Sequence, residues 1–299
     1  MAGSRERERR RARERYEQQR QERLERQRKL RQRLFAGLAV VCVLGLAGGL
    51  TAVFATGGTP GKSKPAAAAS SPAAASASAS AATVAEPATH CTYTTSGVAA
   101  AAKKVTVPPA SPDYKAAYTA SINTSLGDIK INLLNSKATC TVNSFVHLAE
   151  AGYFSGSQCH RIVNSDGLYV LQCGDPTAQA TTKLTCSTSS TSPGTGGPGY
   201  EYSSENLPTG ASSSGTVTYP AGTLAMANSG TSTSNGSQFF MVFKNSTLQP
   251  DYTPFGTITS GLDILQKVAS DGTSCTYSDA GGGAPKEKVV INSVTIKQT

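Results

Sequence analysis

GTLAMANSGTSTSNGSQFFMV, Gly222–Val242, carries no charged side chain and changes character abruptly along its length. Small polar residues fill the middle, and Phe239, Phe240, Met241 and Val242 follow at once. A flexible linker has no use for the aromatic pair, and a buried strand does not begin so polar. Two short strands flanking a small-residue loop satisfy both halves, one near Gly222–Ala227 and one near Gln238–Phe243. Residues two apart on a strand share a face. Gln238 and Phe240 are therefore expected on one side, and Phe239 turned inward to the core.

The surrounding sequence has the same texture. YTASINTSLGDIKINLL (Tyr118–Leu134) alternates on both sides of Gly127-Asp128, the pattern of a hairpin. In TCTVNSFVHLAEAG (Thr139–Gly152), Val142, Phe145, Leu148 and Ala149 fall on one helical face, with Gly152 at the stop. Further strands are expected near Cys159–Val163, Leu168–Cys173 and Val289–Ile296, and a second helix over Leu262–Ala269. Many short strands with two helices predict a mainly β domain over 114–299, closed as a barrel.

The N-terminal third is different. Residues 1–33 hold 14 Lys and Arg against 6 Asp and Glu, whereas the remainder carries a net charge of only +1. The pI of 9.2 thus belongs to the tail. Glu6–Arg10, Glu22–Arg26 and Glu25–Lys29 suit an exposed helix. LFAGLAVVCVLGLAGGLTAVF (34–54) follows with no charge, and about 20 apolar residues cross a bilayer. Arg28, Lys29, Arg31 and Arg33 precede it, so the positive-inside rule puts the N-terminus in the cytoplasm and the rest of the chain outside. A cleaved secretory signal is the alternative, less well matched by the length of both parts. The tail, directly ahead of a membrane span and poor in aromatics, is expected to touch anionic headgroups rather than nucleic acid. Residues 55–113 form an Ala/Ser/Pro-rich tether and extended lead-in, of which Gly57–Thr89 has too little apolar surface to order by itself.

Cysteine usage agrees with export. Cys42 lies in the apolar span, and Cys91, Cys140, Cys159, Cys173, Cys186 and Cys275 lie beyond it. An even number in an oxidising compartment points to as many as three disulfides. Fifteen connectivities are possible, of which only Cys186–Cys275 is singled out, both residues lying in loops. The spacing matches no metal site. There is no phosphate-binding loop, no nucleophile elbow and no paired carboxylates, so neither metal nor cofactor is expected. His147 lies in the first helix and is expected to be structural or at the surface rather than catalytic. His160 neighbours Arg161 and is expected to face the other way.

Four segments carry the chemistry: FSGSQCHRIV (Phe154–Val163), YVLQCGDP (Tyr169–Pro176), GTGGPGY (Gly194–Tyr200) and the opening stretch. With NSFVHLAEAGYFSG and the late FGTI (Phe255–Ile258), their order and wording resemble the cyclophilin-type peptidyl-prolyl isomerases from about Tyr118 to Ile296. The resemblance implies a closed eight-stranded antiparallel β-barrel capped by two helices, with a proline groove on its outer face. It implies that Arg161 is the catalytic arginine, that Gln172 orients it, and that Phe240 floors the proline pocket. It places Tyr169, Val170 and Leu248 in the pocket, Gln238 along the groove and Ala227-Asn228 at the edge that takes the substrate backbone. Thr247 and Tyr252 fall where many members carry Trp and His. NSDG (Asn164–Gly167) lengthens the turn before Tyr169, and the loop Glu205–Tyr219 is enlarged. The function so implied is X-Pro isomerisation in exported, folding polypeptides by a membrane-tethered monomer. The alternative is a proline-peptide binding module or holdase, motivated by the altered rim.

Overall fold

The computed structural model describes residues 87–186, 194–212, 215–277 and 281–299. The basic tail, the apolar span at 34–54 and the tether up to residue 86 lie outside the described residues. Among the described residues, no helix is long and apolar enough to cross a membrane.

The hairpin forms as expected, with β1 at Tyr118–Thr124 and β2 at Gly127–Leu133. Ala120, Ile122, Ile129 and Ile131 all point into the core, as strict alternation requires. Helix α1 covers Thr139–Glu150, and Val142, Phe145, Leu148 and Ala149 make its buried stripe. Its N-cap residue, Ala138, has no side-chain acceptor to offer. Glu205, far along the chain, does the capping: Oε1 accepts from the Cys140 N–H at 3.1 Å and Oε2 from the Thr141 N–H at 2.8 Å. A carboxylate there satisfies two orphan donors and faces the positive end of the helix dipole. Glu205→Ala is expected to cost about 1–2 kcal/mol, read as a lower urea midpoint with unchanged slope.

Next come β3 (Arg161–Ser165) and β4 (Leu168–Cys173). The Asn164–Gly167 insertion does not lengthen their turn. Asn164 and Ser165 pair with Tyr169 and Leu168, extending the ladder. The turn itself is only Asp166-Gly167, at φ 54° and 80°. Two consecutive positive φ values match the right-handed twist of a hairpin, and Gly167 adopts its value without penalty.

Then follow β5 (Val217–Tyr219), β6 (Thr223–Met226), β7 (Phe239–Val242), β8 (Ser246–Leu248), β9 (Pro254–Ser260), helix α2 (Leu262–Asp271), β10 (Thr273–Thr276), β11 (Gly283–Pro285) and β12 (Ile291–Gln298). The mainly β class with two helices holds for the described residues. The closed eight-stranded barrel does not. One antiparallel sheet of ten strands runs β10-β11-β3-β4-β7-β6-β9-β2-β1-β12, and β5 pairs with β8 apart from it. The outer edge of β3 is taken by β11, through Gly283 against Ile162. The last strand pairs with β1, and it meets the segment before β3 through the bridge Gln158–Val290 and the backbone hydrogen bonds that flank it, from the Gly156, Cys159 and Ile291 N–H groups to the Ile291, Val289 and Ser157 carbonyls.

The main core lies between α1 and the sheet. Phe145 meets Phe154, Phe239 and Phe255 at centroid distances of 5.3, 5.6 and 5.3 Å. A smaller apolar cluster lies on the other face of β4 and β7, made of Val163, Val170, Val217, Tyr219, Ala225, Phe240 and Val242. Being covered on both sides, β7 is buried at all four residues, which is why FFMV is an unbroken apolar run. The six cysteines beyond the apolar span pair as Cys91–Cys140, Cys159–Cys173 and Cys186–Cys275. The last is the pair singled out from the sequence. The lead-in from residue 91 onward is packed on the domain. His147 proves structural, its Nε2 lying 2.9 Å from the Thr106 carbonyl oxygen of that lead-in.

Candidate active site

Strand register assembles the site. Arg161 on β3 stands opposite Gln172 on β4, Gln172 opposite Phe240 on β7, and Phe240 opposite Ala225 on β6. Directly opposed residues project to the same face, so the four form one row across four strands. Two residues along each of the first three strands, Val163, Val170 and Val242 form a second row on that face. The result is an apolar floor with a guanidinium at one end.

Walls come from elsewhere. Tyr252 stands edge-on to Phe240 at 5.4 Å, and Tyr219 lies 6.4 Å from Phe240. Val217 and Leu248 complete the cluster from the separate β5–β8 ribbon. The Tyr219 hydroxyl donates to the Tyr252 carbonyl at 2.9 Å, which sets the height of that wall. Burial pushes the Tyr219 phenol up to about 12. Burial also raises the Tyr252 phenol, with Asp251 adding to the rise and Arg161 opposing it.

The polar end is a relay. Arg161 Nη1 donates to Gln172 Oε1 at 3.0 Å, and Arg161 Nε to the Gly281 carbonyl at 3.0 Å. Gln172 Nε2 donates to Gln238 Oε1 at 3.0 Å, and Gln238 Nε2 to the Gly196 carbonyl at 2.9 Å. Each amide is thereby oriented by the next, which aims the guanidinium along the floor. Burial lowers the Arg161 pKa from its usual value, with Tyr252 and Tyr277 opposing the shift. Guanidinium nonetheless keeps its charge throughout the pH range in which proteins fold.

Of the residues expected from the sequence, Arg161, Gln172, Phe240, Val170, Gln238, Leu248 and Tyr252 come together here. Ala227 packs against the same cluster, but its N–H is already bonded to the Gln238 carbonyl at 2.9 Å and is not available to a peptide. Asn228 builds the wall: Nδ2 donates to the Asp251 carbonyl at 2.8 Å and Oδ1 accepts from the Gly230 N–H. Tyr169 is not in the cluster. Its place between Leu168 and Val170 turns it to the main-core side, where its ring meets Phe243 at 6.2 Å and lies under Lys244 Nζ at 4.5 Å. Val163, Ala225 and Val242 were missed, although counting by two from Arg161 and Phe240 finds Val163 and Val242. Tyr219 reaches the site from the three-residue β5 and Gly281 and Gly196 from separate loops, and none leaves a local signal.

His160 faces away from Arg161, as strand alternation requires. It is 2% exposed, and neither ring nitrogen has a hydrogen-bond partner among the described residues. Burial lowers its pKa from 6.5 to about 4, Asp175 partly opposing the shift. Above pH 6.5 the ring is neutral in both folded and unfolded chains. Between pH 6.5 and about 4 the unfolded chain takes up a proton that the folded one refuses, so stability falls as pH falls. Unfolding midpoints across that window should drop less steeply in His160→Gln than in wild type.

Residues 119–296 match the family model described as cyclophilin type peptidyl-prolyl cis-trans isomerase/CLD. The chain is 44% identical over 192 residues to the Mycobacterium tuberculosis protein named probable peptidyl-prolyl cis-trans isomerase B, covering 62% of this chain and 56% of that one. With the Mycobacterium leprae protein of the same name it shares 42% over 204 residues, 66% of this chain and 63% of the relative. With the probable peptidyl-prolyl cis-trans isomerase A of Mycobacterium leprae it shares 34% over 194 residues, 60% of this chain and 91% of the shorter relative. The match thus spans a little over half the length of the first of these relatives and nearly all of the last. On these grounds the chain belongs to the cyclophilin-type peptidyl-prolyl cis-trans isomerase family.

Proposed function

We propose that this chain catalyses cis-trans isomerisation of X-Pro bonds in polypeptides. The observation that carries the reading is the row Arg161–Gln172–Phe240, a guanidinium held by an amide beside an apolar floor. Amide resonance raises the rotational barrier to ~18–20 kcal/mol. Twisting the bond removes that resonance and leaves a pyramidal, more basic prolyl nitrogen. Arg161 donates a hydrogen bond to that nitrogen and transfers no proton. Phe240, Leu248 and Tyr252 hold the ring while the carbonyl on its far side rotates. A donor fixed in advance stabilises the twisted state more than either planar one, and that difference is the catalysis. The chemistry uses no nucleophile, metal or cofactor.

The test is a proline-tetrapeptide isomerisation assay on the full-length protein, with acceleration proportional to enzyme expected. Tight peptide binding with no acceleration would instead make it a binding module.

The place of action is part of the proposal. The apolar segment 34–54, preceded by its basic tail, anchors the chain with the N-terminus cytoplasmic and the isomerase domain outside, acting as a monomer on exported, folding chains. Three disulfides suit an oxidising compartment. Protease added to intact spheroplasts should remove the domain, and complete protection would overturn this topology.

A further inference from the structure

The relay that aims Arg161 ends on the Gly196 carbonyl, and the segment that follows Gly196 is packed against residues that precede the family-model match. Residues 91–103 precede the match at 119 and run as a strap beside the segment Gly196–Tyr202. Thr94 and Glu201 exchange two backbone hydrogen bonds, at 2.8 and 2.9 Å. The Ala102 N–H donates to the Gly197 carbonyl at 3.0 Å. Gly199, at φ 84°, lies so close to Ala101 that a Cβ there would sit 2.9 Å from the Ala101 nitrogen, a contact only glycine permits. The Tyr93 ring stands edge-on to Tyr200 and Tyr202 at 5.4 and 5.5 Å.

The strap is itself anchored at both ends. The Cys91–Cys140 disulfide ties it to α1, and the Tyr93 hydroxyl donates to the Cys140 carbonyl at 2.8 Å. At its other end Lys103 Nζ donates to the carbonyls of Gly152 and Tyr153 at 2.7 and 2.9 Å, just past the helix C-terminus. The segment it holds also pairs inward, Tyr202 bridging to Asn235 in the small-residue loop of the groove. These contacts link α1 through the strap to Gly197–Tyr202, the segment next to the Gly196 carbonyl that Gln238 bonds.

We propose that the strap Cys91–Lys103 is a positioning element of the isomerase site, fixing the Gly196 carbonyl that orients Gln238 and, through it, the Gln172–Arg161 pair. This rests on the isomerase reading above. The strap touches neither Phe240 nor Leu248, so it bears on the donor and leaves the proline pocket alone.

The test uses full-length protein carrying Tyr93→Ala or Ala102→Pro, each alone and in a Gln238→Ala background, with kcat and KM measured on a proline tetrapeptide. Each strap variant alone is expected to lower kcat roughly three- to tenfold, the usual coupling within one hydrogen-bond network, with KM little changed. In the Gln238→Ala background the same changes should cost nothing further, because the link is already cut. Equal losses in both backgrounds would mean a general structural effect and overturn the proposal, as would no loss in either or a loss confined to KM. If Arg161→Ala matched wild type, the isomerase reading itself would fall and the strap's role with it. Failure of the strap variants beside an active Arg161 would overturn the strap alone.

Discussion

Arg161→Ala is expected to lower kcat/KM about a hundred- to a thousandfold, the range seen when one preorganised donor to a transition state is removed. The side chain is half-buried at the rim and belongs to neither apolar cluster, so the domain should still fold. Arg161→Lys is expected to recover little. An ammonium keeps the charge but lacks the planar fork that reaches Gln172 Oε1 and the Gly281 carbonyl together. The measurement is the cis-to-trans rate of a proline tetrapeptide, with urea unfolding as the control for structure. Rates equal to wild type in Arg161→Ala would refute the mechanism.

The second large effect separates two adjacent phenylalanines. Phe239 is fully buried, edge-on to Phe145 and Phe154 at 5.6 and 5.7 Å. Phe239→Ala leaves a cavity in a close-packed aromatic core and should cost about 3–5 kcal/mol. Since whole domains hold roughly 5–15 kcal/mol, that is a large share of the total. Phe240, one residue on, faces the groove against Tyr252. Phe240→Ala should cost less stability, because its void opens toward the groove and can fill with water. It should instead raise KM at least about tenfold, since a proline ring loses the aromatic face that buries it. Urea midpoints and steady-state kinetics on both variants give the comparison. Similar profiles for the two would mean that the alternation across β7 is not what divides core from site.

That alternation was legible beforehand. Period two in β1 and β2 and period 3.6 in α1 follow from where backbone geometry sends successive side chains, so a single segment suffices to see them. The order of the motifs likewise marked Arg161, Gln172 and Phe240 in advance. Tyr169 shows the limit of a motif taken alone. Its position matched a pocket residue, yet its place between Leu168 and Val170 on β4 turns it to the other face.

Five elements escaped the sequence, the strands β5, β8, β9, β10 and β11. All but the seven-residue β9 are only three or four residues long, too short for a period to appear, and β10 (TSCT) and β11 (GAP) carry few large apolar residues. Barrel closure failed for a related reason: β11 occupies the edge of β3, a competition between segments far apart in the chain. The Cys91–Cys140 and Cys159–Cys173 pairings, the Glu205 cap on α1, the Gly281 and Gly196 carbonyls and the strap at 91–103 belong to the same class.

By itself the sequence determined the repeating elements, the faces they bury and the chemical identity of the groups at the site, because each depends on residues within a turn or two of one another. Only the tertiary structure decided which backbone carbonyls hold the guanidinium and its glutamines, and which strands meet. Those depend on contacts between distant segments, and a carbonyl acceptor is common to every residue and leaves no mark in the sequence.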